Sequence, residues 1–162
     1  MIILGIDPGF ERLGIAILEK NTEARPMGKE RVVFSECFKT SAKLEFSERL
    51  LSIGKEIKKV IKKFKPEILA IETLFLTTNQ KTVMRVAEVR GVVMYEASLA
   101  GLKIFEASPP QIKIAITGYG KANKEQVMKM VKVLVNIDNS KKSDDELDAI
   151  AIALTASACI RN

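Results

Sequence analysis

The chain has 162 residues, of which 47% are hydrophobic and 28% are charged. This length and composition predict a single globular domain spanning residues 1–162, and they exclude an intrinsically disordered chain. Lys and Arg outnumber Asp and Glu by 26 to 20, which permits a polyanionic partner without requiring one. The sequence contains no histidine, so His-based zinc sites, Ser-His-Asp triads and imidazole general bases are excluded.

The order of predicted elements indicates an α/β protein. Strands are predicted at 2–6, 14–19, 31–40, 68–72 and 102–107, from apolar runs that end in turn residues. Helices are predicted at 44–64, 78–100 and 124–135, and a last one follows the capping-box pair Ser143 and Glu146. Ser108-Pro109-Pro110 is expected to end the fifth strand, and 118–124 to form a loop. The resulting order, βββαβαβαα, predicts a mixed five-stranded sheet flanked by helices.

Two of the predicted helices leave alternatives open. The helix at 44–64 carries a lysine stripe that is either a solvated face or a patch facing DNA (Lys55, Lys58, Lys59, Lys62 and Lys63). The helix at 78–100, for which Thr78 or Asn79 is a plausible N-cap, is apolar on more than one face. Such a helix lies either at the centre of the core or in a subunit interface, where residues such as Met84 or Val92 would face a second copy.

The cellular compartment is predicted from what the chain lacks. The N-terminal apolar run is too short for a secretory signal and has no basic leader, and no window reaches the ~18 apolar residues of a membrane span. Cys37 and Cys159 lie in apolar stretches and are expected to be buried, reduced side chains. We therefore expect a cytoplasmic protein.

Four carboxylates stand where a metal-dependent nuclease needs them. Asp7 and Glu72 each close an apolar strand, and Asp145 and Asp148 lie near the start of the last helix. A charge that ends a buried strand is costly unless it is paired or bound to metal, and hard oxygen ligands suit Mg²⁺ or Mn²⁺. Simpler roles exist for some of them. Asp7 fits a turn before Pro-Gly, and acidic residues at a helix N-terminus favour the helix dipole. By spacing, Asp148 shares a helix face with Asp145 or with Asp144.

Four segments occur in the order found in one known family. They are Gly5-Ile6-Asp7-Pro8-Gly9, Ala70-Ile71-Glu72, Arg90-Gly91 and Asp145-Glu146-Leu147-Asp148-Ala149-Ile150-Ala151. Together with the loop Gly118-Tyr119-Gly120-Lys121-Ala122-Asn123-Lys124, they make the chain resemble the RuvC-type crossover-junction endonucleases along essentially its whole length. Two segments depart from the usual pattern: Phe10-Glu11-Arg12 in the first hairpin turn, and Glu146-Leu147 between the last two aspartates.

The resemblance implies an RNase H-like fold and a homodimer that resolves four-way (Holliday) DNA junctions by paired strand cuts. It implies metal ligation by Asp7, Glu72, Asp145 and Asp148, with Asp144 outside the set, and two Mg²⁺ ions per subunit for which Mn²⁺ can substitute. It places Lys113 and Lys124 near the scissile phosphate, as catalytic and DNA-binding residues. Phe75 and Lys121 are further DNA contacts, and a branch-migration helicase complex is an implied partner.

Three other functional classes compete with this interpretation. Actin-like phosphotransferases share the Gly-x-Asp-x-Gly turn, but they need a second comparable domain. A junction-binding protein without nuclease activity has no use for four carboxylates beside a polyanion. Another RNase H-like nuclease, acting on ribosomal RNA or on RNA–DNA hybrids, is the nearest alternative within the fold.

Overall fold

The computed structural model describes residues 1–20, 30–74, 80–135, 137 and 142–160. In these ranges five strands and five helices occur in the order βββαβαβααα. The strands are β1 (Ile2–Asp7), β2 (Arg12–Glu19), β3 (Arg31–Lys39), β4 (Ile68–Glu72) and β5 (Lys103–Ala107). The helices are α1 (Phe46–Phe64), α2 (Gln80–Leu99), α3 (Pro109–Thr117), α4 (Lys124–Leu134) and α5 (Asp144–Cys159).

The five strands form one mixed sheet in the order β3-β2-β1-β4-β5. The pairs β1–β2 and β2–β3 are antiparallel, whereas β4 runs parallel to both β1 and β5. The antiparallel strands follow one another in the chain, and the parallel strands β4 and β5 are joined by the crossover helix α2. The predicted mixed five-stranded sheet flanked by helices is confirmed.

Alternating side chains of the strands pack into two separate hydrophobic cores, one on each face of the sheet. On one face, Leu4, Ile6 and Ile71 pack with α1 and α2. On the other, Ile3 and Ala70 pack with α3, α4 and α5. Because successive strand residues point to opposite faces, the pattern fixes which face each later residue of β1 and β4 occupies.

Helix α5 lies unusually close to the strands because its contact surface is made of small residues. A Cβ atom added at Gly5 would come within 2.3 Å of the Ala149 carbonyl oxygen and 2.8 Å of the Ala153 Cβ. One added at Gly14 would come within 2.1 Å of the Asp145 carbonyl oxygen. Only glycine allows this approach, so these two positions set the height of α5 above the sheet.

Helix α3 is not among the elements that the sequence predicts. Ser108-Pro109-Pro110 is expected to end the fifth strand, but Ser108 is the N-cap of this helix and its backbone N–H donates to Gln111 Oε1 at 2.8 Å. Both prolines lie in the first helical turn, where a backbone N–H has no partner within the helix and its loss costs little. The same dipeptide therefore starts a helix as readily as it ends a strand.

The other predicted boundaries agree with the structure to within two residues. The proposed N-caps of α2, Thr78 and Asn79, lie outside the described residues. All five lysines of the stripe on α1 are exposed, as both interpretations of that stripe require. No helix in the described part of the chain is both long and apolar enough to cross a membrane.

Candidate active site

Asp7 and Glu72 are the last residues of two adjacent parallel strands. In the register of β1 and β4, Ile6 lies beside Ile71, so the two acidic residues that follow end the strands side by side. Ile6 and Ile71 both face α1 and α2. The alternation of the strands therefore turns Asp7 and Glu72 to the opposite face, which α5 covers.

Helix α5 brings the other two predicted carboxylates to this edge of the sheet. Its start is fixed by the predicted capping box: the Ser143 backbone N–H donates to Glu146 Oε2 at 2.9 Å, and the Glu146 N–H donates to Ser143 Oγ at 3.4 Å. One turn further along, Asp148 lines a small cavity of about 140 Å³. The other residues that line it are Asp7, Glu72, Ile112, Ala151 and Ile152.

The three carboxylates of this cavity destabilise one another's charged forms. Burial, together with the charges of Asp148, Glu72 and Asp145, raises the pKa of Asp7 from 3.8 to about 7. Burial also raises the pKa of Glu72 and of Asp148. Arg90 opposes the rise at Glu72, and Lys124 opposes it at Asp148. The cavity therefore has negative charge that nearby cations only partly compensate.

Asp145 differs from the three carboxylates of the cavity because Arg12 and Cys37 donate hydrogen bonds to it. Its Oδ2 accepts hydrogen bonds from Arg12 Nε at 2.8 Å and from Cys37 Sγ at 3.4 Å, and Arg12 Nη2 lies 2.5 Å from the same oxygen. Burial alone would raise the pKa of Asp145, but the hydrogen bonds from Arg12 and Cys37 outweigh it and hold the pKa below its usual value. Asp145 is not among the residues that line the cavity.

The predicted lysines occupy three different environments. Lys124 Nζ lies 3.2 Å from Asp148 Oδ2 and 3.4 Å from Asp144 Oδ2, so this lysine stands directly beside the acidic cavity. Lys113 is half-buried on α3, next to the cavity residue Ile112, and Lys121 is exposed in the turn before α4. Phe75, the predicted contact to bases, lies outside the described residues.

The expectation that both cysteines are buried is wrong. Cys159 is exposed at the end of α5, and Cys37 is only half-buried, with its thiol against Asp145. Both stretches of sequence are apolar, but apolar neighbours in sequence do not show which way a strand or helix turns one side chain. Burial and then Asp145 raise the pKa of the Cys37 thiol, which favours the protonated form that donates to the carboxylate.

Arg12 is the site residue that sequence reasoning overlooked. It was noted only as a departure from the family pattern, although it forms the ion pair with Asp145 across 133 positions of sequence. The sheet register would have revealed it. Cys37 lies directly opposite Gly14, and Arg12 is two residues before Gly14, so all three face α5.

The donor chemistry of the four carboxylates fits a hard divalent cation. Their oxygens are the ligands that Mg²⁺ and Mn²⁺ prefer, and a bound cation would relieve the repulsion that raises the pKa of Asp7. Among the described residues, however, no three acidic or cysteine side chains form a ready-made metal-binding group. Cations of the protein engage two of the four carboxylates, with Arg12 on Asp145 and Lys124 on Asp148.

Parallel strands ending in paired acids under a covering acidic helix define the RNase H-like class of nuclease. A sequence model of the family described as crossover junction endodeoxyribonuclease RuvC matches residues 3–156. The chain belongs to this family, as the motifs of the sequence indicated.

Individual relatives agree with this assignment. The crossover junction endodeoxyribonuclease RuvC of Caldanaerobacter subterraneus subsp. tengcongensis is 43% identical over 155 residues, which cover 95% of this chain and 90% of that protein. The structure of Thermus thermophilus RuvC is 32% identical, with a TM-score of 0.88 over 98% of this chain and 94% of that one. The same protein in complex with a Holliday junction substrate matches with a TM-score of 0.87, covering 96% of this chain and 92% of that one, again at 32% identity.

Proposed function

We propose that this protein is a divalent-metal-dependent endonuclease that resolves four-way DNA junctions by paired, symmetric cuts. The observation that carries the proposal is the convergence of Asp7, Glu72 and Asp148 on one cavity in a chain of the crossover-junction family. Substrate choice is supported by the T. thermophilus relative, which has been captured with a Holliday junction. We propose that this cutting serves recombination and repair, within the cytoplasm.

The four carboxylates are proposed to hold the metal. Asp7 and Glu72 supply oxygens from the rigid strand ends, while Asp145 and Asp148 supply them from the first turns of α5. When bound, two Mg²⁺ ions, or Mn²⁺ in their place, supply an activated water and stabilise the leaving oxygen of an in-line displacement. The strands and α5 are packed against one another, so the core fixes the backbone positions of all four residues.

Lys124 is proposed to act on the phosphate. Its ammonium group lies beside Asp148, and pairing with Asp148 and Asp144 outweighs desolvation and keeps its pKa raised. The side chain is therefore protonated at neutral pH and can stabilise the additional negative charge of a pentacovalent phosphate. Lys113, Lys121 and Phe75 are proposed to contact DNA around the cut strand.

Paired cuts require two such sites, which a two-fold dimer supplies. Helix α2 has buried residues on one side, and large apolar side chains on its other side are exposed: Met84 at 67%, Tyr95 at 62% and Leu99 at 66%. We propose this exposed strip as the dimer contact. Val92, named with Met84 in the sequence analysis, instead packs towards Gly54 of α1 and the core. A branch-migration helicase complex is proposed as a further partner.

A cleavage assay tests the proposal directly. Purified protein with Mg²⁺ is given a synthetic four-way junction, the matching linear duplex or an RNA–DNA hybrid. We expect paired cuts in the junction, little cutting of duplex or hybrid, and no activity in EDTA. Preferential cutting of the hybrid would assign the protein to the other RNase H-like activity instead.

The Asp7→Asn variant serves as the matched inactive protein in this assay. It removes a proposed metal ligand while keeping the shape of the side chain, so cleavage should fall by at least about 10²-fold. Junction binding should be kept or improved because a negative charge near phosphate is lost. Glu125→Gln, at an exposed position on α4, controls for loss of a carboxylate elsewhere. Near-normal cleavage by Asp7→Asn would exclude Asp7 from the catalytic set.

A further inference from the structure

One oxygen atom of Asp145 receives three donors from the protein itself. Arg12 Nε and Nη2 and Cys37 Sγ all point at Oδ2, at 2.8, 2.5 and 3.4 Å. A guanidinium that directs two nitrogen atoms at one carboxylate forms a strong, charge-assisted contact. Among the described residues, Asp145 is the one of the four proposed metal ligands that accepts hydrogen bonds from an arginine.

The backbone of Asp145 is fixed, so only its side chain can change partner. Its carbonyl oxygen lies so close to Gly14 that a Cβ there would stand 2.1 Å away, which shows how tightly this turn of α5 lies on β2. The Asp145 side chain is 22% exposed and that of Arg12 is 51% exposed. The arginine can thus move into solvent while the helix stays in place.

We propose that Arg12 is a positioning residue that occupies Asp145 in the metal-free protein and competes with the divalent cation for it. This inference rests on the proposed function, since it requires that the acidic cavity bind metal. A metal at Asp145 and a guanidinium on the same carboxylate repel each other, so metal binding must work against the ion pair. Arg12 therefore lowers the metal affinity of the free enzyme.

Bound DNA changes the competition between Arg12 and the metal for Asp145. A guanidinium recognises phosphate oxygens with the same fork of donors that it offers a carboxylate. Arg12 is at the rim of the site and half-exposed, so a phosphate of the bound strand can take it over and leave Asp145 for the metal. Metal and DNA then favour each other's binding, and the coupling is reciprocal.

The test is Mn²⁺ binding to the DNA-free protein, counted by electron paramagnetic resonance of the free ion, in wild type and in Arg12→Gln. The variant should bind Mn²⁺ about threefold to fivefold more tightly, the effect expected for losing a partly exposed ion pair. Arg31→Gln is the matched control, since Arg31 makes a similar contact to Glu19, from Nε at 3.1 Å and Nη2 at 2.8 Å, at the opposite end of the β2–β3 pair. The control should bind Mn²⁺ like the wild type.

Equal or weaker binding by Arg12→Gln would overturn the proposal, because it would mean that Arg12 leaves Asp145 unaffected or prepares it as a ligand. Arg12→Lys keeps a charge but not the fork, and it should also bind Mn²⁺ more tightly than wild type, by a smaller factor. It provides the same test if Arg12→Gln does not fold. Failure of the wild type to bind Mn²⁺ would instead overturn the proposed function, so the two failures are distinct.

Discussion

The most unusual residue of the site is Asp7, whose carboxyl group is neither fully protonated nor fully ionised at neutral pH. Its pKa of about 7 places half of the molecules in each state, and the cause is burial reinforced by the charges of Asp148, Glu72 and Asp145. Metal ligation requires the carboxylate, so proton and cation compete for it. The same residue therefore links pH to stability in the absence of metal.

The pKa of Asp7 is about 7 in the folded protein and 3.8 in the unfolded chain, and this difference sets how stability depends on pH. Between pH 3.8 and about 7 the folded protein keeps a proton on Asp7 that the unfolded chain has released. The free energy of unfolding of the metal-free protein should therefore fall as pH rises through this window and level off above it. We expect Asp7→Asn in EDTA to be more stable than wild type at pH 8, by roughly 1–3 kcal/mol.

Urea unfolding at pH 8 and pH 4.5 measures this difference. At pH 4.5 Asp7 of the folded protein is protonated and neutral like asparagine, and most of the pH window up to about 7 has not yet been crossed. The difference in urea midpoint between the two proteins should therefore be much smaller at pH 4.5 than at pH 8. Glu125→Gln should follow the wild type at both pH values. An advantage of Asp7→Asn that is equally large at both would show that charge is not its cause.

Lys124 and Lys113 should affect different steps. Lys124→Met removes the ammonium beside Asp148 and should lower the cleavage rate at saturating junction by about 10²-fold while changing affinity little. Lys113→Met, if Lys113 contacts phosphate, should weaken junction binding. It should also reduce the slope of log binding constant against log salt concentration by about one. Single-turnover cleavage and binding at several salt concentrations separate the two effects. If neither variant changes rate or affinity, both lysines are surface charges.

At the scale of elements, α5 positions the site, and its contact with the sheet depends on atoms that glycine lacks. Gly5 faces the Ala149 carbonyl oxygen, and Gly14 faces that of Asp145. Both obstacles are backbone atoms, which cannot rotate away as a side chain can. A methyl group at either position must therefore move the helix that carries two of the proposed ligands.

Gly5→Ala should accordingly be costly. Overpacking against a fixed backbone typically costs about 1–3 kcal/mol, and the displaced helix should weaken Mn²⁺ binding as well. The control is Gly120→Ala, whose Cβ would approach the flexible side chain of Ile114 at 3.2 Å, while the nearest backbone atom, the Pro110 carbonyl oxygen, lies 4.0 Å away in ordinary contact. Thermal unfolding of both variants gives the comparison. Wild-type stability and metal affinity in Gly5→Ala would show that α5 is free to shift.

These elements also show what the sequence could and could not predict. The strands and most helices follow from local periodicity, and Asp7 and Glu72 were recognisable because a charge ending an apolar strand is rare. Helix α3 was missed because Ser-Pro-Pro is compatible with two different local structures. Arg12 was missed because its partner is known only once the register of β2 and β3 and the position of α5 are known. Local patterns therefore predicted the acids and the family resemblance pointed to Lys124, but neither predicted Arg12, the cation that engages Asp145.

At the scale of the whole molecule, two sites must act on one substrate. The exposed strip on α2 is the proposed contact, and a two-fold axis would place Met84, Tyr95 and Leu99 against the same strip of the partner. The middle of the helix offers little obstruction, because Gly91 has no atom within 4 Å of the Cβ position it leaves empty. Two helices could approach closely there.

Met84→Glu should divide the dimer. The change places two carboxylates in an apolar contact, and their desolvation is not compensated. Analytical ultracentrifugation should show a monomer, and this monomer should nick junctions singly instead of resolving them. Leu51→Glu, at a 59% exposed apolar position on α1, should remain dimeric. A wild-type monomer at concentrations that fully resolve junctions would refute the proposed assembly.

The position of α5 in the chain has a consequence for biosynthesis. Helix α5 contacts all five strands, yet it follows every other described element in sequence and leaves the ribosome after them. Until it emerges, one face of the sheet is uncovered, and two of the four proposed ligands have not been made. A chain that ends before residue 144 lacks Asp145 and Asp148, so we expect such a product to have neither a finished core nor the proposed metal site.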